Sequence, residues 1–353
     1  MMNDSIKQIC MLSDSFGPSG FEEDVAALVK KMLVQVKDVH EDSLHNVTAQ
    51  SIKNTGNRLK VMLDAHLDEV GFIIQAVKPN GTMPFLPLGG WVSNTAPAHK
   101  VKVRNTDGEL IEGIIAAKPI HFMSESEKHE GAELSKMVID VGAVSDHDLK
   151  ENFKLGLAAP AVPDVTCSYD ERHDLILGKA LDCRIGVSAL IDTLKELQQP
   201  AADVCASFSV QEEVGERGIQ ANLERLKPDL AIVFEGCPAD DTFQEPYMIQ
   251  TALKKGCMLR HFDRSMITHP GFQRFALQLA DAKQIPCQES VRSGGGTNGA
   301  FIHVRDIPTI VIGIPVRYIH SHHGFASYAD YRSAVDLAKA ILETIQSAPF
   351  LHK

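Results

Sequence analysis

Residues 204–235 read VCASFSVQEEVGERGIQANLERLKPDLAIVFE. An apolar, β-rich run, VCASFSV, gives way to Gln211-Glu212-Glu213, then to helical spacing from Ile219 to Leu226, then to a second apolar run, LAIVF. Strand, helix and strand in that order make a βαβ unit, which predicts a parallel sheet covered by helices. Both strands end in acid: Glu212 and Glu213 after the first, Glu235 after the second.

The pattern continues outward in both directions. Upstream, Cys183 to Leu197 reads as a helix, and Arg58-LKVMLDA reads as a buried strand ending at His66. Further back, Val25, Leu28, Val29, Met32, Leu33 and Val36 recur at three-and-four spacing, predicting an amphipathic helix over Phe21 to Lys37. Downstream come a helix from Phe272 to Ala282, the strand Pro308-TIVIGI, and a closing helix from Ser327 with Asp330 as a partial capping box. Between Gly71 and Pro163 the character differs: the short runs IIQAV, VKVRN, ELIEGII and MVIDVGA are separated by turn signals such as PNG and TDG. That is a small all-β module. The expectation is an α/β domain formed by residues 1–69 and 164–353, interrupted by a β-rich insertion at 70–163.

The chain's 353 residues are 44% apolar and 23% charged, an ordinary globular composition. Thirty-five basic against 46 acidic residues give a formal charge of -11, with no basic block, which argues against nucleic acid as a partner. The seven cysteines are scattered without a C-x-x-C pair and read as reduced thiols. The opening MMNDSIKQICMLSDS has no continuous apolar core, and no apolar run approaches the roughly 20 residues that span a bilayer. A cytoplasmic protein without a membrane partner is expected.

Some tempting patterns fail. Gly294-GGTN-Gly299 fits G-x-G-x-x-G by letters, but the following FIHVRDIPTIVI reads as extended rather than as the required helix. His40-EDSL-His45 has one residue too many for H-E-x-x-H.

The chemistry lies where strands end. Asp64-AHLDEVGF places one His and three carboxylates just past a buried strand, the position at which open α/β sheets bind their ligands. Glu212, Glu213 and Glu235 occupy equivalent positions, and His320 follows the strand TIVIGIPV. Asp182 stands at a helix start, where simple capping would also account for it. Taken one at a time, solvated loop acids explain each of these. Taken together, two imidazoles with several carboxylates suit zinc, cobalt or manganese, and a shared carboxylate can bridge a pair of ions. A two-metal hydrolytic site is the economical reading.

The strings DAHLDEVGF, KALDCRIG, VQEEVGERG and IPVRYIHS, in this order and with an insertion between the first two, resemble metallopeptidase family 42. This group includes the tetrahedral (TET) aminopeptidases, glutamyl and deblocking aminopeptidases, and proteins once labelled endoglucanase M. The resemblance runs through essentially the whole chain. It implies a three-layer α/β/α di-metal aminopeptidase domain with an inserted small β-barrel-like domain. It also implies two divalent ions, zinc with cobalt or manganese as alternatives, held by His66, Asp182 and Glu235 on one side and by Asp182, Glu213 and His320 on the other. Asp182 would bridge, Asp68 would orient His66, and Glu212 would be the general base. Peptides are the implied substrates and a homo-oligomer, a dodecamer, the implied assembly.

Departures from the family pattern are Glu235 where Asp is frequent, Cys183 where Asn is usual, Asn298 in place of Asp, and the His322-His-Gly-Phe run after IPVRYIHS. Two other activities compete: a carbohydrate hydrolase using Glu212 and Glu213, and an N-acyl amino acid or peptide deacylase. Adjacent residues rarely flank a glycosidic bond from opposite sides, and the carbohydrate reading leaves both histidines idle. A non-catalytic metal protein would have no use for Glu212.

Overall fold

The computed structural model describes residues 3–347 and 350. Its central feature is an eight-stranded sheet in the order Val36–Glu41, Val47–Ser51, Asp203–Ser209, Lys60–His66, Leu230–Pro238, Thr309–Val316, Cys257–Phe262 and Cys287–Val291. The four middle strands are mutually parallel and almost wholly buried. Their Val, Ile, Leu and Phe side chains pack on both faces, as strands buried between helical layers require.

Helix Leu181–Glu196 lies across one face beside Asp4–Asp14 and Tyr328–Thr344, forming the larger core with Leu63, Phe208, Ile232 and Ile312. On the other face, Arg217–Leu226 and Gly299–His303 cover Met62, Val233 and Val311. The expected three-layer α/β arrangement is therefore observed. Gly186 allows the long helix to lie close on the sheet: a Cβ there would lie 3.2 Å from the backbone carbon of Phe234.

A second, fully antiparallel sheet of six strands contains Gly71–Ile74, Phe85–Leu88, Lys100–Arg104, Leu110–Ala116, Val138–Asp140 and Pro160–Pro163. Phe72, Phe85, Val101, Val103 and Ile139 form its own core. A small three-stranded sheet pairs Leu175–Gly178 with Ser168–Asp170 and Gly324–Ala326.

Three local expectations change. The predicted helix over Phe21 to Lys37 stops at Met32, and Val36 already opens the edge strand Val36–Glu41. Its apolar spacing ran on because Leu33 and Val36 pack against the same core from extended backbone. The start of FIHVRDIPTIVI is not extended: Gly299–His303 is a short helix with Ile302 buried against Ile219 and Leu223. A short apolar run has no period long enough to separate the two states. Finally, Ser327 does cap the last helix through Asp330 N–H, but the Asp330 carboxylate turns away to accept the amides of Lys254 and Gly256, both at 2.7 Å.

Candidate active site

The carboxyl ends of the parallel strands meet at one edge of the sheet. Register sets this directly, since Ser209 pairs with His66 and Val233 with Asp64. His66 is buried, with Nδ1 3.2 Å from the Asp68 carbonyl oxygen and 3.4 Å from its carboxylate. With Nδ1–H donating there, Nε2 faces outward, donating to the carboxylates when the ring is protonated and free to ligate when it is neutral. It lies 3.1 Å from Asp182 Oδ1, 3.3 Å from Glu235 Oε1 and 3.9 Å from Glu212 Oε2. On the opposite side, His320 Nε2 is 3.3 Å from both Asp182 Oδ2 and Glu213 Oε2.

All residues singled out at the strand ends thus converge, except two of the three acids in Asp64-AHLDE. Asp64 turns under the sheet edge to accept from Ser207 Oγ and, at 2.8 Å, from Asn298 Nδ2. Glu69 accepts from Lys179 Nζ with both oxygens at 2.6 Å, in a buried pair flanked by Arg184. Only Asp68 joins the cluster. It accepts from Ser19 Oγ at 2.6 Å and from the amides of Glu212 and Glu213 at 3.0 and 3.1 Å.

The electrostatics are those of a cation site. Burial pushes Glu235 up to about 8, aided by the charge of Asp182, and pushes Glu212 and Glu213 upward as well. Burial opposes the charged form of His320, yet Glu213 and Asp182 raise it to about 11. The same burial acts against Asp182, but its bonds with the two histidines hold it well below the carboxylate range. More acid is gathered here than two imidazolium ions neutralise, and excess buried acid needs a proton or a metal. Glu213 Oε1 and Glu235 Oε1 are buried without any hydrogen-bond partner. Nitrogen and oxygen donors with unsatisfied buried lone pairs fit divalent ions, and among the described residues the donors form three overlapping groups, the atoms within each lying within 4.8 Å of one another.

The cluster opens on a cavity of about 620 Å3, of a size suited to a small ligand. Asp182, Glu212, Glu213, Glu235 and His320 form one wall. Arg260 and Arg292 contribute to the lining and were not legible in the sequence; Arg260 follows the apolar start of the strand CMLRHF. The Nε atoms of both are buried without partners. Asn298 lies beneath the cluster, bridging Asp64 and Ser209 Oγ, while His322 stacks on His99 with ring centres 3.8 Å apart.

The sequence profile of the M42 glutamyl aminopeptidase family matches residues 46–337. The lysyl aminopeptidase of Pyrococcus furiosus is 30% identical over 345 residues, covering 96% of each chain. A TET aminopeptidase from a marine sediment Thaumarchaeota archaeon superposes with a TM-score of 0.91 at 36% identity, covering 97% of each chain. The TET1 peptidase of Pyrococcus horikoshii, described as assembling into a tetrahedron or a large octahedral shell, gives 0.86 at 25% identity, covering 96% of this chain and 99% of its own. A match of this extent, on a chain whose strand ends gather His66, Asp182, Glu213, Glu235 and His320, is decisive: the chain belongs to the M42 glutamyl aminopeptidase family and is a hydrolase acting on peptide bonds.

Proposed function

We propose that the protein is a two-metal aminopeptidase that removes single residues from the N-termini of peptides. One observation carries the reading: the Asp182 carboxylate presents Oδ1 to His66 and Oδ2 to His320, at 3.1 and 3.3 Å, as a carboxylate shared between two ions would. His66, Asp182 and Glu235 would hold one ion; Asp182, Glu213 and His320 the other. When bound, divalent ions such as zinc, cobalt or manganese supply Lewis acidity, a water of lowered pKa and a position for a free α-amine.

The side chains do the rest. Glu212 lies in the cavity wall between the two donor sets and is assigned to neither. Its carboxylate takes the proton from the attacking water and returns it to the leaving amine. Asp68 fixes the His66 ring and, through the amides of Glu212 and Glu213, the start of the base loop. The cavity would receive the N-terminal residue of the peptide.

Residues 70–163 are read as an insertion domain on a catalytic domain of 1–69 and 164–353. By analogy with TET1, described as a dodecamer and as a tetrahedron or octahedral shell, the chain would form a homo-oligomer, a dodecamer. Among the described residues no helix is long and apolar enough to cross a membrane, and the cysteines are free, consistent with a cytoplasmic setting. The carbohydrate reading gains no support: Glu212 and Glu213 each face a histidine, not each other across a cleft.

The test is hydrolysis of aminoacyl p-nitroanilides, free and N-acetylated, by chelated enzyme reloaded with zinc, cobalt or manganese. Metal-dependent cleavage confined to free amines is expected. Cleavage of acetylated substrates alone would identify a deacylase, and no cleavage with any metal would overturn the assignment.

A further inference from the structure

The two donor sets are not chemically alike. Cys183 follows Asp182 directly and is fully buried, and its Sγ lies with donor atoms of His66, Asp182 and Glu235 in a group whose members are all within 4.8 Å of one another. The second set, Asp182, Glu213 and His320, contains no sulfur. A buried thiol alone would mean little, since Cys183 Sγ also donates to the Phe234 carbonyl at 3.2 Å. The independent observation is Glu235 Oε1: it is buried, lacks a hydrogen-bond partner, and belongs to a residue only 5% exposed. It stands 3.3 Å from His66 Nε2, which is 3.1 Å from Asp182 Oδ1. Those two separations match the roughly 3.3 Å edges of a tetrahedron built on zinc–ligand bonds of about 2.0 Å, and Cys183 Sγ lies within 4.8 Å of all three atoms, within reach of the fourth corner.

We propose that Cys183 is a fourth protein ligand on the ion held by His66, Asp182 and Glu235. This rests on the two-metal reading above and makes the two positions unequal. Four protein donors hold the first ion more tightly than three hold the second, while a fifth position on the first can still take a water. The first ion is then the retained one and the second the exchangeable one. On coordination the S–H bond breaks, a sulfur–metal bond forms and the proton passes to solvent, while the Phe234 carbonyl loses its donor. A soft sulfur ligand also favours zinc over manganese at the first site.

X-ray absorption of the zinc-loaded full-length protein tests this without relying on any variant. A zinc–sulfur shell at about 2.3 Å is expected beside the nitrogen and oxygen shell. Cobalt loading should give a sulfur-to-cobalt charge-transfer band that disappears in Cys183→Ser and persists in Cys237→Ser. Retention of the first ion against a chelator should fall by about 10–100-fold in Cys183→Ser, with the thermal melt showing that the variant is folded. Two bound ions with only nitrogen and oxygen neighbours would overturn the thiolate ligand and leave the two-metal reading standing. Failure to bind any ion would overturn both.

Discussion

The carboxylate of Asp68 accepts the backbone N–H of Glu212 at 3.0 Å, although the two residues lie at the ends of different strands. Its other contacts reach His66 Nδ1 and the amide of Glu213. One buried group therefore sets the imidazole orientation and the backbone that presents the next two acids. Asp68→Asn puts an NH2 group where an N–H already donates, so one of these contacts must break. Metal affinity should drop by about 10–100-fold, and kcat should fall even at saturating metal. Full kcat at saturating metal would show that Asp68 does not position the Glu212 loop.

Glu212→Gln keeps the side-chain shape and removes the proton acceptor. Metal content should be unchanged, while turnover falls by about 10^2–10^4-fold. Elemental analysis with steady-state kinetics checks both halves. Retained turnover would move the base role elsewhere, and His66→Ala, by contrast, should reduce the bound metal itself.

A Cβ at Gly236 would lie 2.7 Å from the Leu181 carbonyl oxygen and 2.8 Å from Asp182 Cα. Both obstacles are backbone, so neither can swing aside. Gly236→Ala should displace Asp182 and cut metal occupancy, with a destabilisation of about 1–3 kcal/mol. Wild-type occupancy in the folded variant would mean that the Asp182 loop is not held where strand Leu230–Pro238 leaves it.

The Lys179–Glu69 pair lies beside the site and is almost fully buried. Lys179→Met leaves Glu69 with Arg184 at 3.4 Å as its remaining charged partner. An expected loss of about 3 kcal/mol follows from stranding a buried carboxylate. A denaturant midpoint unchanged from wild type would show that Arg184 alone compensates Glu69.

Glu196 ends the long helix and accepts from Arg332 at 2.7 and 2.8 Å and from Lys339 at 2.9 Å. The Arg332 hydrogen bonds, outweighing burial and helped by Lys339, bring it down to about 2. A depressed carboxyl stabilises the fold above its ordinary pKa of 4.5 and loses that contribution as pH falls toward 2. Glu196→Gln should cost about 1 kcal/mol at neutral pH, because the pair is partly solvated, and progressively less as pH falls from 4.5 through about 2. Parallel acid-unfolding curves for the two proteins would refute the assignment.

The sequence by itself determined the α/β class, the four buried strands and the placing of His66, Glu212 and Glu213 at or just past their ends; Glu235, expected just past its strand, lies inside the longer strand Leu230–Pro238. Those features are local: an apolar run of strand length and the residue that follows it are both visible in a short window. The resemblance then supplied Asp182 and His320 with their partners. What only the tertiary structure decided was which polar groups share a space. Asp64, Asp68 and Glu69 stand within six positions of one another, yet Ser207 and Asn298 take the first, His66 and the Glu212 amide the second, and Lys179 the third. Apart from His66, two positions from Asp68, those partners are brought in by parallel register and helix packing across more than a hundred residues of chain, which no local pattern encodes. Arg260 is a further case, since nothing in CMLRHF marks it and only folding brings it onto the cavity wall, whereas Cys183 already stood out in the sequence beside Asp182 and the structure adds its place with His66 and Glu235.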